Sequence, residues 1–211
     1  MTNILQLKVT LIATSPKVWR KILVPSEYSF FDLHVAIQEA MGWTDSHLHQ
    51  FFTESPYKRN SKYKQISLPS ADIWDEPDDE FIDERKAKLS QHFKSPKDTL
   101  FYEYDFGDSW MHEIKLEKIL IANPKEKYPK LIDGENACPP EDCGAPPGYH
   151  HLKEVLADTE NEEHEEMLEW LEIESAEEFN PTEFDLKKVK FSDPKNWLKQ
   201  VEKGMGLTPI K

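Results

Sequence analysis

The stretch from Leu100 to Ile121, LFYEYDFGDSWMHEIKLEKILI, constrains the fold more than any other part of this chain. Residues 100–106 are aromatic and β-prone, and residues 109–121 alternate apolar and charged side chains, as a strand with one buried face does. Gly107-Asp108 separates the two halves, and a glycine at the first position of a two-residue loop favours a type II′ turn because it tolerates a positive φ. The sequence therefore predicts a β-hairpin.

A two-residue turn would place Asp105 opposite Trp110 and Glu103 opposite His112 on one face of the hairpin. A carboxylate beside an imidazole fixes its tautomer and raises its basicity, so Glu103, Asp105 and His112 are the candidate catalytic residues. The alternative is a structural cross-strand pair that is buried and satisfied. A turn longer by one residue would instead place Tyr104 opposite His112 and remove the pair.

Both cysteines of the chain, Cys138 and Cys143, stand in a proline-rich stretch, GENACPPEDCGAPPGY. Their C-x4-C spacing lies within the range of metal-ligand pairs, and His112 could complete the set from the hairpin. Zinc is therefore a candidate cofactor, with Cys138, Cys143 and His112 as its ligands. The alternatives are two reduced thiols in a rigid loop and, disfavoured by the expected compartment, a disulfide.

We predict that the loop Gly134–Tyr149 folds back over the hairpin. An exposed face that carries Trp110 would be an apolar liability unless something covered it, and prolines stiffen the loop. The loop would then hold Glu141 and Asp142 beside the hairpin, so Trp110, Glu141, Asp142 and Tyr149 are the candidate binding residues. The alternative is that the loop packs only against the C-terminal helices.

The N-terminal third carries the clearest secondary-structure signals. Ile4–Ala13 alternates apolar and polar residues as a half-buried strand does, and Val18–Val24 reads as a second strand. A helix is predicted from Phe30 to Met41, because Ser29 is a good N-cap and Gly42 a typical C-terminal stop.

The strand–strand–helix–strand order that Leu48–Thr53 completes resembles the opening of a β-grasp, an analogy of order alone. Further helices are predicted after Tyr149. We expect one α+β domain over residues 1–211, with a mainly antiparallel sheet, C-terminal helices and an acidic insertion around residues 70–95.

The formal net charge of -14 argues against a large nucleic-acid surface, because phosphate binding needs clustered Lys and Arg. A protein partner or a small ligand fits this charge better. We expect no membrane contact and a cytoplasmic location, since neither a signal peptide nor a long apolar run is present.

Three stretches together carry a resemblance: FFDLHVAIQEAMGWTDSHLHQF, YEYDFGDSWMHEIKLE and CPPEDCGAPPGY. With a later FDLKKV segment, their order resembles that of the plasmid pRiA4b open-reading-frame-three-like family over most of the chain. The resemblance implies an α+β fold and no established activity. It also brings a TnpR label, given to some members as passenger proteins of an insertion element. A serine recombinase needs a nucleophilic Ser among arginines and a basic DNA-binding region, and neither is visible in this sequence.

Two classes of function follow. The first is a non-catalytic binding or interaction protein linked to plasmids or mobile elements, supported by the absence of known catalytic motifs and by the acidic composition. The second is a small metal-dependent hydrolase that uses the hairpin carboxylates, His112 and the cysteine loop.

Overall fold

The computed structural model describes residues 2–69 and 81–210 of the chain. The strands of these residues are β1 (Asn3–Leu11), β2 (Trp19–Pro25), β3 (His49–Phe52), β4 (Gln65–Ser67), β5 (Phe81–Asp83), β6 (Thr99–Tyr104), β7 (Trp110–Ile121) and β8 (Lys130–Glu135). They form one sheet with the order β5-β4-β3-β6-β7-β1-β2-β8. Neighbouring strands are antiparallel except β4 and β5, which are parallel.

The helices of the described residues are α1 (Phe30–Met41), α2 (Leu89–His92), α3 (Ala145–Ala157), α4 (His164–Trp170) and α5 (Pro194–Gly204), with a 3-10 turn at Ala176–Glu178. This arrangement confirms the α+β class and the mainly antiparallel sheet. The assignment of residues 1–211 to one domain stays a prediction. None of these helices has both the length and the hydrophobicity that a bilayer crossing requires.

Helix α1 confirms the predicted bounds because its ends are encoded locally. Ser29 Oγ accepts from Asp32 N at 3.1 Å, while Asp32 Oδ2 accepts from Ser29 N at 2.8 Å, which is a reciprocal capping box. Gly42 closes the helix in the left-handed region at φ 92°. Apolar residues of α1 then pack on the sheet around Leu7, Ile22 and Phe51, all fully buried.

The hairpin exists, but its predicted register is wrong. Tyr104 pairs with Trp110, Tyr102 with His112 and Glu103 with Met111, so no Glu103–His112 pair forms. The cause is the turn, in which Asp105 rather than Gly107 adopts a positive φ, at 60°. Asp105 Oδ1 accepts from Gly107 N at 2.8 Å, a local bond that lets an aspartate tolerate this conformation. The turn spans residues 105–109.

Other differences lie where the pattern is short. Strand β8 lies between the hairpin and the cysteine loop, in a stretch for which the sequence pattern predicts no strand. Helix α3 begins at Ala145, because prolines are compatible with a first helical turn. Residues 70–80 of the acidic insertion lie outside the described residues. The described part of this insertion contains the strand β5 at Phe81–Asp83 and the short helix α2 at Leu89–His92.

Helix α5 is joined to the segment that follows β5 by a buried ion pair. Arg85 Nη1 lies 3.2 Å from Glu202 Oε1, and the same nitrogen donates to Thr208 O at 3.1 Å. Arg85 Nη2 also lies 2.9 Å from Asp83 Oδ2. Both Arg85 and Glu202 are buried, so each needs the other to offset the cost of desolvation.

Candidate functional site

The loop from Gly134 to Tyr149 lies over the hairpin turn and the end of α1, as predicted. Trp43 Nε1 donates to Pro139 O at 3.0 Å, and Gly144 N donates to Asp108 Oδ2 at 3.1 Å. Between these anchors, the Tyr104 hydroxyl donates to Glu141, which also accepts from Thr44. The carboxylate of Glu141 therefore fastens the loop to the sheet.

Asp142 meets the hairpin through His47, a residue just before β3. His47 Nε2 lies 3.0 Å from Asp142 Oδ1, and His47 Nδ1 lies 3.7 Å from Asp105 Oδ1. One donor atom from each of the three side chains lies within 4.8 Å of the others. The structure thus brings Asp105 and Asp142 together as predicted, but with His47 in the place expected for His112.

His112 is fully buried and serves the hairpin itself. Its Nδ1 lies 2.9 Å from Trp110 O, so this nitrogen carries the proton and donates. Its Nε2 has no hydrogen-bond partner among the described residues. Burial lowers the pKa of His112 to about 4, because the charged ring would lose its hydration. His112 is therefore neutral at pH 7.

The remaining candidate residues separate. Glu103 lies on the opposite face of β6 from Tyr102, where it accepts from Gln50 Nε2 at 2.6 Å and from Ser109 Oγ at 2.5 Å. Trp110 and Tyr149 are buried in the core, each 1 % exposed. In the described part of the chain, neither the Trp110 indole N–H nor the Tyr149 hydroxyl has a hydrogen-bond partner.

Both cysteines are reduced and lie partly against the core. Burial raises the pKa of the Cys143 thiol to about 12, and that of the Cys138 thiol above its ordinary range as well. The thiols are therefore protonated at pH 7. The three-donor clusters found among residues 2–69 and 81–210 contain neither cysteine, nor His112.

A cavity of about 490 Å³ opens between this loop, the end of α1 and the segment 178–189. Its apolar lining comes mainly from Met41, Trp43, Phe179, Phe184 and Val189, and its basic residues are Arg20 and Lys188. Four carboxylates also line it, from Glu141, Glu178, Glu183 and Asp185.

Arg20 contributes a guanidinium group to this cavity although the residue is only 1 % exposed. Its Nε donates to Ala40 O at 2.9 Å, and its Nη1 donates to Trp19 O at 2.9 Å and Glu135 O at 3.0 Å. Burial lowers the pKa of Arg20 to about 10, which leaves it charged at pH 7. Sequence reasoning missed Arg20, because nothing distinguishes it from its basic neighbour Lys21 in β2.

A buried polar ring lies under α1, and it too was not predicted. Gln38 Nε2 donates to the Tyr102 hydroxyl at 3.0 Å, and that hydroxyl lies 2.9 Å from His34 Nδ1. His34 Nε2 lies 3.0 Å from Asp45 Oδ1, and Asp45 N donates back to Gln38 Oε1 at 3.1 Å. Since the phenol has one proton, it donates to His34, whose Nε2–H then donates to Asp45.

Together, the eight-stranded sheet, the capped helix and the loop that closes a cavity beside it define an α+β protein with a ligand-sized cleft at this position. The chain belongs to the plasmid pRiA4b ORF-3-like protein family, whose pattern matches residues 3–188. This confirms the resemblance that the sequence motifs carry.

Two relatives extend the comparison. The chain is 38% identical over 171 residues to the uncharacterized protein y4hQ of Sinorhizobium fredii (strain NBRC 101917 / NGR234), a match covering 81% of either sequence. It is also similar to the crystal structure of a protein of unknown function from Methanosarcina mazei Go1. That likeness has a TM-score of 0.76 and 37% identity, and covers 90% of this chain and 99% of the other.

Proposed function

We propose that this protein binds a small organic ligand without transforming it, in the cavity beside the cysteine loop. One observation carries the proposal: the stretches that characterise the sequence converge on this cavity. Met41 and Trp43 come from the first motif, Cys138 and Glu141 from the cysteine motif, and Phe184 from the FDLKKV segment. The hairpin motif contacts the loop through the Tyr104 hydroxyl, which donates to Glu141.

The state of the candidate catalytic groups favours binding over catalysis. A cysteine nucleophile acts as a thiolate, yet the raised pKa values of Cys138 and Cys143 keep both thiols protonated. A general base must reach the proton that it removes, yet His112 is enclosed in the core. A role in the cytoplasm, linked to plasmids or mobile elements, is part of this proposal, and its link to plasmids rests on the family alone.

A titration of ¹⁵N-labelled protein tests the proposal. The panel is phenylacetate, hexanoate and indole-3-acetate with their three amides, and the Trp43 indole N–H reports occupancy because Trp43 lines the cavity. Ala137→Trp fills the cavity, whereas Ala157→Trp adds the same bulk at an exposed position outside it. We expect binding that A137W abolishes and A157W retains. Equal binding by both variants, or no binding of any panel member to the unmodified protein, would contradict the proposal.

A metal-dependent hydrolase is the second candidate, and the cluster of His47, Asp105 and Asp142 favours it. An imidazole nitrogen and two carboxylates form a donor set that suits zinc or another divalent cation, and one position would remain for water. The alternative for this cluster is a group of polar side chains at the edge of the loop that holds no metal.

Calorimetric titration with Zn²⁺ and Mn²⁺ separates these two alternatives. Asp142→Asn removes one donor, and Asp133→Asn makes the same change at an exposed position of β8. Stoichiometric binding that D142N weakens and D133N leaves unchanged would support a metal site. Metal-dependent hydrolysis of p-nitrophenyl acetate or bis-p-nitrophenyl phosphate would be needed to support the enzyme.

A further inference from the structure

Arg20 is a buried cation whose charge is not balanced by a carboxylate of the described residues. Its three hydrogen bonds go to backbone carbonyl groups. Burial lowers its pKa, and no carboxylate is among the causes of the shift. Charges taken out of water are costly unless they are paired, so this position is unfavourable in the empty protein.

The alternative explanation is that Arg20 has a structural role and stabilises the C-terminal end of α1. Ala40 O belongs to the last turn of α1, where the helix dipole is negative, and a cation there is stabilised. This explanation uses Nε and Nη1 only. A guanidinium has five N–H groups, and the two on Nη2 have no hydrogen-bond acceptor in the part of the chain that the structure describes.

Phe184 covers one face of the Arg20 guanidinium, and Gly134 leaves room for the Phe184 ring. The Phe184 ring lies over the guanidinium carbon of Arg20, 3.7 Å from its centroid. Gly134, the β8 partner of Arg20, permits this stacking, because a Cβ there would lie 2.5 Å from Phe184 Cε1. Arg20 lines the cavity, and Nη2 is the part of its guanidinium that has no acceptor among the described residues.

We propose that the ligand of this cavity is a monocarboxylate with an apolar body, whose carboxylate accepts from Arg20 Nη2. The inference rests on the proposed function and adds the class of ligand. The apolar walls formed by Met41, Trp43 and Val189 receive the body. The four carboxylates of the lining repel every negative charge on a ligand, so a monocarboxylate that reaches Arg20 meets less repulsion than a doubly charged phosphate monoester.

The test compares each acid of the panel with its amide on the unmodified protein, with phenyl phosphate as a dianion. The amide keeps the shape and removes the charge. Hydrogen bonds to charged groups are about twice as strong as neutral ones, so we expect the acids to bind roughly tenfold tighter than the amides. Phenyl phosphate should bind more weakly than phenylacetate.

Variants at Arg20 test whether this residue causes the preference for acids over amides. Arg20→Gln should reduce the preference for acids to near one, and Arg20→Lys should keep part of it. The comparison on the unmodified protein decides the outcome even if these variants fail to fold. Equal affinity for acids and amides would overturn this inference and leave the proposed function intact. Tighter binding of phenyl phosphate would replace the carboxylate with a phosphate and also overturn it. If neither acids nor amides bind, both proposals are wrong.

Discussion

The imidazole rings of His34 and His49 lie parallel at 3°, with their centroids 3.4 Å apart. Each ring turns to a different acid: His34 Nε2 to Asp45 at 3.0 Å, and His49 Nε2 to Glu84 at 3.0 Å. A metal in the plane of one ring would lie out of the plane of the other, so the stack opposes shared coordination. His34, Asp45 and His49 are close enough for a metal, but their arrangement is that of a structural network.

Tyr102→Phe tests how much the buried polar ring under α1, to which His34 and Asp45 also belong, contributes to stability. The change removes the hydroxyl that accepts from Gln38 and lies against His34, and leaves both groups buried without that partner. Buried groups that lose a partner cost about 1–3 kcal/mol each, so for these two groups we expect the free energy of unfolding in urea to fall by about 2–6 kcal/mol. Tyr57→Phe, at a residue 69% exposed, is the matched control and should change it little. Equal losses of stability in the two variants would show that the buried polar ring contributes nothing to the free energy of unfolding.

The depressed pKa of His112 predicts acid sensitivity. Between pH 6.5 and about 4, His112 is protonated in the unfolded chain but neutral in the folded protein. The contribution of His112 to the free energy of unfolding is therefore complete above pH 6.5 and is lost as the pH falls toward 4. Over the full interval this group accounts for about 3 kcal/mol. Urea unfolding at several pH values should give a shallower pH dependence for His112→Gln than for the unmodified protein. Parallel curves would contradict the prediction.

Gly134→Ala should destabilise the protein. The added Cβ would lie 2.5 Å from Phe184 Cε1 and 3.1 Å from Arg20 Cδ, so Phe184 must leave the guanidinium. Overpacking of this kind typically costs about 1–3 kcal/mol. Gly204→Ala is the control, because no atom lies within 4 Å of its added Cβ. Thermal melts that place both variants at the same midpoint would argue against the Phe184–Arg20 stack.

Thiol modification should be slow in the folded protein. Iodoacetamide reacts with thiolates, and burial holds the pKa of Cys143 at about 12 and keeps Cys138 protonated as well. Mass spectrometry at pH 8 should show both cysteines alkylated many times more slowly than in urea-unfolded protein. Alkylation at the same rate in both states would show that the loop is open.

Much of the fold could be predicted because its signals are local. The capping box of Ser29 and the stop at Gly42 lie within α1 itself, and alternation marks β7. The hairpin register could not be predicted, because it depends on whether Asp105 or Gly107 takes the positive φ. Packing of Tyr104 on Trp43, with ring centroids 4.9 Å apart, belongs to the observed register, and this contact between distant residues cannot be read from the local sequence of the turn.

The candidate site was predicted in part for a related reason. Glu141 and Asp142 are marked by their proline-rich loop, and their approach to the hairpin follows from the need to cover Trp110. Arg20 is brought in by tertiary structure alone, since it stands in no distinctive local pattern. His47 and His49 stand two apart, a spacing that can bind a metal but is usually incidental, so the sequence did not connect His47 with Asp105 and Asp142. Burial beside a cavity, which arises only on folding, distinguishes Arg20 from the other basic residues.

The ion pair between Arg85 and Glu202 affects how a shortened form of this protein should be made. The family match ends at residue 188, which would suggest a natural place to cut the chain. A cut there would remove both Glu202 and the Thr208 carbonyl, and would leave the Arg85 guanidinium with Asp83 as its remaining carboxylate partner among the described residues. It would also remove Ser192 N, which donates to the Glu39 carboxylate on α1 at 3.0 Å. An expression boundary should therefore lie beyond Thr208, because the last helix secures the far end of the sheet and the first helix at once.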